Sequence, residues 1–222
     1  MSVVVLKVGG ASTGGVAEAV ADLRAAGNGV CVVHGAGPQI SEEMERRGLL
    51  PQFVGGRRVT TPEVLDVVCG SFAAVNAAVC EAIGMDAVGL FGDEIGLEAE
   101  HVPELGLVGR ALPSAPRRVL AVLASGRVPV VSPLAQGPLN VNADEAAAAL
   151  AVGICAARIR FLTDVPGVFY DGELVASISA ARAETLVDAG SFEGGIVPKV
   201  LAAARAARGG LIAEIGVTAV TA

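Results

Sequence analysis

The sequence predicts an α/β fold in which a mainly parallel sheet is covered on both faces by helices. Three observations carry that expectation. Short apolar runs of Val, Ile and Leu recur without polar alternation, which is the pattern of strands buried on both sides. Between them lie segments of roughly 10–20 residues with helical composition and amphipathic spacing. The 222 residues, 53% hydrophobic and 18% charged, suffice for one domain with a sizeable interior.

Residues 3–6 open the series as a buried strand, ended by Gly9-Gly10 and followed by an Ala-rich helix to about residue 26. Residues 30–33 are the second strand, closed by His34-Gly35-Ala36-Gly37-Pro38. Ser41 is then placed to cap a helix bearing Glu42, Glu43, Glu45 and Arg46. Residues 87–91, 128–131, 159–162 and 211–215 bring the expected strands to six, and a helix is expected over residues 145–157. Residues 51–61 and 92–116 are irregular, the second reading as a hairpin excursion at a sheet edge. Without a fixed-period repeat or a linker-like tract, residues 1–222 are read as one domain.

Composition excludes several classes. Twenty-nine glycines and eleven prolines are spread between apolar runs, so neither disorder nor a collagen-like chain is expected. The mean hydropathy of +0.62 raises the question of a membrane span. The best candidate, residues 146–157, is about 12 residues long against the roughly 18–20 that a span needs. With a strand-like run starting at Val3 and no leader, a soluble cytoplasmic protein is expected. A net charge of −7, no basic stripe and 3% aromatic residues argue against nucleic acid. Cys31, Cys69, Cys80 and Cys155 lie far apart in apolar stretches, as reduced core thiols, and no protein-held metal is expected.

Of sixteen basic residues only Lys7 and Lys199 are lysines. Lys is a compact point charge that fits beside a phosphate where the broad Arg fork does not. Lys7-Val8-Gly9-Gly10 ends the first strand, where glycines let backbone N–H groups approach an anion, although a strand-end lysine reaching solvent fits equally well. Gly35-Ala36-Gly37 repeats the arrangement; as a dinucleotide fingerprint it is weak, lacking a third glycine and carrying Pro38. His34 is read as a structural histidine rather than a base. Arg57-Arg58 follows Gly55-Gly56, and a guanidinium fork suits a carboxylate. Arg57 fits a solvated loop as well, Arg58 less so. Asn140-Val141-Asn142-Ala143-Asp144 precedes a helix and holds more polar groups than a cap requires. Thr163-Asp164-Val165-Pro166-Gly167-Val168-Phe169 and Asp171-Gly172 are turns. Gly194-Gly195-Ile196-Val197-Pro198-Lys199 sets the second lysine at a helix N-terminus. Two lysines beside paired glycines suit phosphoryl transfer, which demands positioning and charge neutralisation. No Walker motif is present.

Taken in order, these motifs resemble the amino acid kinase family over nearly the whole chain. Within it the likeness is to members that phosphorylate N-acetylglutamate in arginine biosynthesis. The resemblance implies a three-layer αβα sandwich, with an acyl-acceptor lobe in residues 1–155 and a nucleotide lobe in 156–222. It implies transfer of a phosphoryl group from ATP to the side-chain carboxylate of N-acetyl-L-glutamate, giving the 5-phosphate and ADP. By motif, Lys7 and Lys199 stabilise the transferring group and Asp144 orients both. Gly35, Ala36, Arg58 and Asn140 bind the acceptor, Arg58 by clamping a carboxylate. Gly9 and Gly10 meet the phosphates. Asp164, Val165, Pro166, Gly167, Val168 and Phe169, with Ser191, Phe192 and Glu193, cradle the nucleotide. Mg2+ rides on the ATP phosphates.

The chain departs from the family pattern at three places. Ala36 replaces the middle glycine of the usual His-Gly-Gly-Gly loop, which matters if that position needs positive φ or a very close approach. The last strand runs into Gly216-Val217-Thr218 where a late helix is usual. The N-terminal helix of arginine-inhibited hexamers is not seen before Val3, so a homodimer without strong arginine feedback is expected. Three alternatives stand beside the main reading: a sister kinase for carrier-linked aminoadipate or another acidic amino acid, a catalytically silent N-acetylglutamate or nucleotide sensor, and, more distantly, a dehydrogenase.

Overall fold

The computed structural model describes residues 2–10, 15–163 and 165–222. Eight strands form the main sheet: β1 (Val3–Val8), β2 (Gly29–His34), β3 (Ala87–Phe91), β4 (Val128–Ser132), β5 (Arg158–Leu162), β6 (Ser177–Ser179), β7 (Ile212–Ile215) and β8 (Thr218–Thr221). Their spatial order is β6-β8-β7-β5-β1-β2-β4-β3. The six expected strands are contiguous in this order and parallel throughout. The two unexpected ones extend one edge, where β8 runs antiparallel to β7 and parallel to β6.

Helices α1 (Val16–Ala25), α2 (Gly37–Arg46) and α3 (Pro62–Ile83) cover one face. A short α4 (Gly92–Ile95) precedes α5 (Arg117–Ala124), and α5 covers the other face with α6 (Ala143–Gly153), α7 (Ala180–Asp188) and α8 (Ile196–Arg208). The strand period of two sorts β1 between them. Val4, Leu6 and Val8 pack with Val16, Val20, Met44 and Phe72 of the first face. Val5 packs with Ala147, Leu150 and Ala203 of the second. Lys7 shares the parity of Val5 and therefore points toward α6 and α8.

Residues 92–116 do contain the expected excursion. Ala99–His101 pairs antiparallel with Val108–Ala111, and Leu139–Val141 and Leu134–Ala135 complete a four-stranded side sheet. Residues 51–61, expected to be irregular, hold a small hairpin, Phe53–Val54 against Arg57–Arg58. Asp171-Gly172, with φ of 49° and 81°, links Phe169–Tyr170 to Glu173–Leu174. Both central residues have positive φ, as a type I′ hairpin turn requires.

Four expectations are corrected. Ser41 caps nothing: α2 already starts at Gly37 with a proline in its first turn, which leaves Ser41 inside the helix. The helix expected over 145–157 begins at Ala143, with Asn142 as its cap, and ends at Gly153. Cys155 is exposed, with φ 52°, rather than a core thiol. The longest apolar helix is α3 rather than residues 146–157. At 22 residues, with a window hydropathy of 1.6, α3 is long and apolar enough to cross a membrane. Its Val64, Val67, Val68, Phe72, Val75 and Val79 are nevertheless buried in the core, beneath the β2 and β4 side chains. Asn76, buried in the same helix, hydrogen-bonds His34 and Ser132.

Candidate functional site

The first turn of α6 organises the site. Asn142 Oδ1 accepts from the backbone N–H groups of Asp144 (2.9 Å) and Glu145 (3.2 Å), which satisfies two free donors of the helix start. The partial positive charge there favours the two carboxylates that follow. Asp144 is buried, yet it meets two cations: Lys7 Nζ at 2.7 Å from Oδ1 and Lys199 Nζ at 3.5 Å from Oδ2. Burial pushes the Lys7 ammonium below its ordinary range; Asp144 holds it up, and Lys199 pushes it further down. Two lysines from opposite ends of the chain thus converge on one carboxylate.

Arg58 is 6% exposed and has no ion-pair partner among the described residues. Its Nη2 donates to the Gly37 carbonyl (3.1 Å) and Ser41 Oγ (2.9 Å), its Nη1 lies 3.2 Å from Met44 Sδ, and Phe53 stacks 4.5 Å beneath the guanidinium. Desolvation lowers its pKa. Asn140 Nδ2 donates to Thr60 Oγ1 (3.0 Å), which donates to the Arg58 carbonyl (2.8 Å), so the three are fixed in one chain. A cavity of about 180 Å³ is lined by Lys7, Ala36, Arg57, Arg58, Asn140 and Asp144, among others.

Gly9, Gly10 and Gly35 do not line this cavity; Gly10 and Gly35 adjoin Ala36, which does. A Cβ on Gly10 would come within 2.8 Å of Ala36 Cα and 3.1 Å of the Gly35 carbonyl, so the two loops can meet only with glycine there. Ala36 itself has φ −143°, which any residue adopts, and its methyl group is buried. The close approach rests on Gly10, and the alanine strains nothing.

Val165, Gly167, Phe169, Ser191, Phe192, Glu193 and Ile196 line a second cavity of about 250 Å³. Pro166 and Val168 do not line it; they anchor it. The Pro166 carbonyl accepts from Val217 N–H (2.7 Å), and Val168 N–H donates to Thr218 Oγ1 (2.8 Å). Asp164 lies outside the described residues. The first cavity is lined only by residues before 155 and the second only by residues after it. The first turn of α8 joins them, with Ile196 in the second and Lys199 on Asp144 of the first.

His34 is fully buried against Ser132 Oγ and Asn76 Nδ2, both 3.1 Å from Nε2, and burial lowers its pKa to about 4. It is the neutral structural histidine that its sequence context suggested. Sequence reasoning missed Glu145 and the part played by Arg57. Glu145 Oε1 is 2.7 Å from Arg57 Nη2 and its Oε2 is 3.5 Å from Arg205 Nη1. The signal available was its position next to Asp144 at a helix start.

A model of the amino acid kinase family matches residues 2–215. The chain belongs to the amino acid kinase family. It is 43% identical over 224 residues to acetylglutamate kinase of Rubrobacter xylanophilus, an alignment covering 97% of this chain and 88% of that one. Acetylglutamate kinase of Kineococcus radiotolerans is 41% identical over 88% of this chain and 74% of its own. Among solved structures, smu.665 of Streptococcus mutans UA159 superposes with a TM-score of 0.89 at 24% identity, over 99% of this chain and 98% of that one. The αβα sandwich is therefore the family fold, and both cavities and the lysine pair lie within the matched residues.

Proposed function

We infer that this amino acid kinase phosphorylates the side-chain carboxylate of N-acetyl-L-glutamate with ATP, the acetylglutamate kinase reaction of arginine biosynthesis. One observation carries the reading from the geometry: two lysines share a buried carboxylate at the edge of a cavity that also holds a buried arginine with no acidic partner among the described residues. An arginine in that state is stabilised when a ligand carboxylate arrives. The lysines supply positive charge where phosphoryl oxygens would gather.

In the reaction, an oxygen of the acceptor's side-chain carboxylate bonds to the γ-phosphorus while the bond to the β,γ-bridging oxygen breaks, leaving ADP. No proton moves, since the attacking carboxylate is already ionised near neutral pH, and no general base is needed. Arg58 grips the other carboxylate of the acceptor, and Asn140 orients its backbone-like portion. The nucleotide occupies the second cavity, with Gly9 and Gly10 toward its phosphates. Lys7 and Lys199 neutralise the charge that spreads as the phosphoryl group transfers, and Asp144 holds them apart and aimed. Both Asp144 oxygens face lysines, so the donor set here suits Mg2+ carried on the nucleotide phosphates, where it neutralises their charge. We place the enzyme in the cytoplasm as a homodimer.

The test is an ATP-dependent acyl-phosphate assay with hydroxylamine trapping. The acceptors are N-acetylglutamate, glutamate, aspartate, aminoadipate and a buffer blank. Turnover with N-acetylglutamate well above the others is expected. Turnover with a different acid would move the substrate. Background rates with every acceptor, from folded protein that binds ATP, would remove the kinase reading.

A further inference from the structure

Asp144 and Glu145 are consecutive, and each carries out the same task with different partners. Asp144 joins Lys7 of β1 to Lys199 of α8; Glu145 joins Arg57 of the acceptor-side hairpin to Arg205 of α8. In both pairs the contact to the earlier part of the chain is tight, at 2.7 Å, and the contact to α8 is longer, at 3.5 Å. Glu145 is thus chiefly a partner of Arg57. Both side chains are largely buried, at 10% and 16% exposure.

Arg57 and Arg58 are neighbours on a two-residue strand, so their side chains leave on opposite sides. Arg58 turns to α2 and forms the cavity wall. Arg57 turns to α6, where Asn142 Nδ2 also donates to the Gly56 carbonyl (3.1 Å). The hairpin is therefore held from beneath by the first turn of α6 at two points, and only one of them is ionic. We propose that Glu145 is a positioning residue for the acceptor: through Arg57 it fixes the hairpin so that Arg58 faces the cavity. This rests on the acceptor being the carboxylate-bearing substrate inferred above.

The proposal has a signature that neither a charge effect nor a folding role of Glu145 shares. Glu145 places a negative charge beside a site for anions. If it acted only through that charge, Glu145→Gln would strengthen acceptor binding, because a repulsive charge is lost. If it served folding alone, the variant would lower Tm and leave acceptor affinity unchanged. A positioning role weakens acceptor binding, since the variant leaves a buried guanidinium without its counter-charge and frees the hairpin.

The experiment is calorimetric titration of N-acetylglutamate into wild-type protein, E145Q, R57Q and the double variant, with initial rates and Tm alongside. Wild-type binding and turnover check the functional reading by themselves, so failure there is distinguishable from failure of the variants. Both single variants are expected to raise the acceptor Kd about tenfold, with nucleotide KM moved less than about threefold. The double variant is expected to match the worse single one, because both changes remove one interaction. An unchanged or lowered Kd in the single variants, or additive losses in the double one, would overturn the proposal. Arg57 also lines the cavity, so the decision rests on the carboxylate: should E145Q fail to fold, E145D, which keeps the charge and shortens its reach, decides by the same Kd criterion.

Discussion

Lys199 shows what a single residue does here and how much of it was readable. Its rarity and its place beside paired glycines marked it in the sequence, and the structure sets it 3.5 Å from Asp144 at the junction of the two cavities. The acceptor contacts assigned to Arg58 and Asn140 lie on other elements. Lys199→Ala is therefore expected to lower kcat by roughly 10²–10³-fold, as loss of one preorganised transition-state donor does, with acceptor KM within about threefold. Initial rates over both substrates check this, and a near-normal kcat would take Lys199 out of the reaction. Glu145 was not legible in the same way. Its partners Arg57 and Arg205 lie far away in sequence on either side, and within an alanine-rich helix start a glutamate reads as an ordinary first-turn acid. Ser41 misled for a related reason. A serine before charged residues is a good cap by composition, but the preceding Gly37-Pro38 starts the helix earlier, and its hydroxyl instead accepts from Arg58.

At the scale of elements, the turn between β7 and β8 shapes the second cavity without lining it. Gly216 has φ 55°, and a Cβ there would run into the Pro166 carbonyl. Thr218, two residues later, both accepts from Val168 N–H and donates to the Val175 carbonyl (2.6 Å). Residues 165–168 are thus braced by the β7–β8 edge, at the point where the sequence departs from the family pattern and its usual late helix. Gly216→Ala combines left-handed strain, costing about 1–3 kcal/mol, with a clash against the loop it holds. The expected outcome is a nucleotide KM raised about tenfold, with acceptor KM within about threefold, because the cavity proposed for the acceptor shares no element with this turn. Steady-state kinetics with each substrate varied in turn measure both; a nucleotide KM that stays put would separate the turn from nucleotide binding. Strands β6 and β8 escaped sequence reading because they are short and rich in Ser, Thr and Ala, without the apolar run that marked the other six.

For the whole molecule, alternation of buried strands and helices was enough to foresee the parallel sheet, since each such run can be satisfied only by helices on both faces. The lack of a linker-like tract read residues 1–222 as one domain, but the sequence does not show how residues 1–155 and 156–222 share a core. The structure bears directly on that point. β1, from the first part, lies between β2 and β5 and pairs with β5 from Val4 to Val8, so the sheet crosses the boundary in mid-layer. One apolar cluster likewise holds Val5, Cys31 and Val33 together with Val200, Ala203, Ala213 and Val220. Separating the parts would expose an unpaired face-buried strand on each side and strip both of core contacts, a loss that neither part can make good alone. A single cooperative unfolding transition is therefore expected. Tyr170, the only tyrosine in a chain without tryptophan, reports on the second part, while far-UV ellipticity reports on all the helices. In urea the two signals should trace one curve, and the calorimetric enthalpy should equal the van't Hoff enthalpy. Two separated transitions, with the Tyr170 signal following only one, would mean that residues 1–155 and 156–222 are independent units held together at the lysine–aspartate junction.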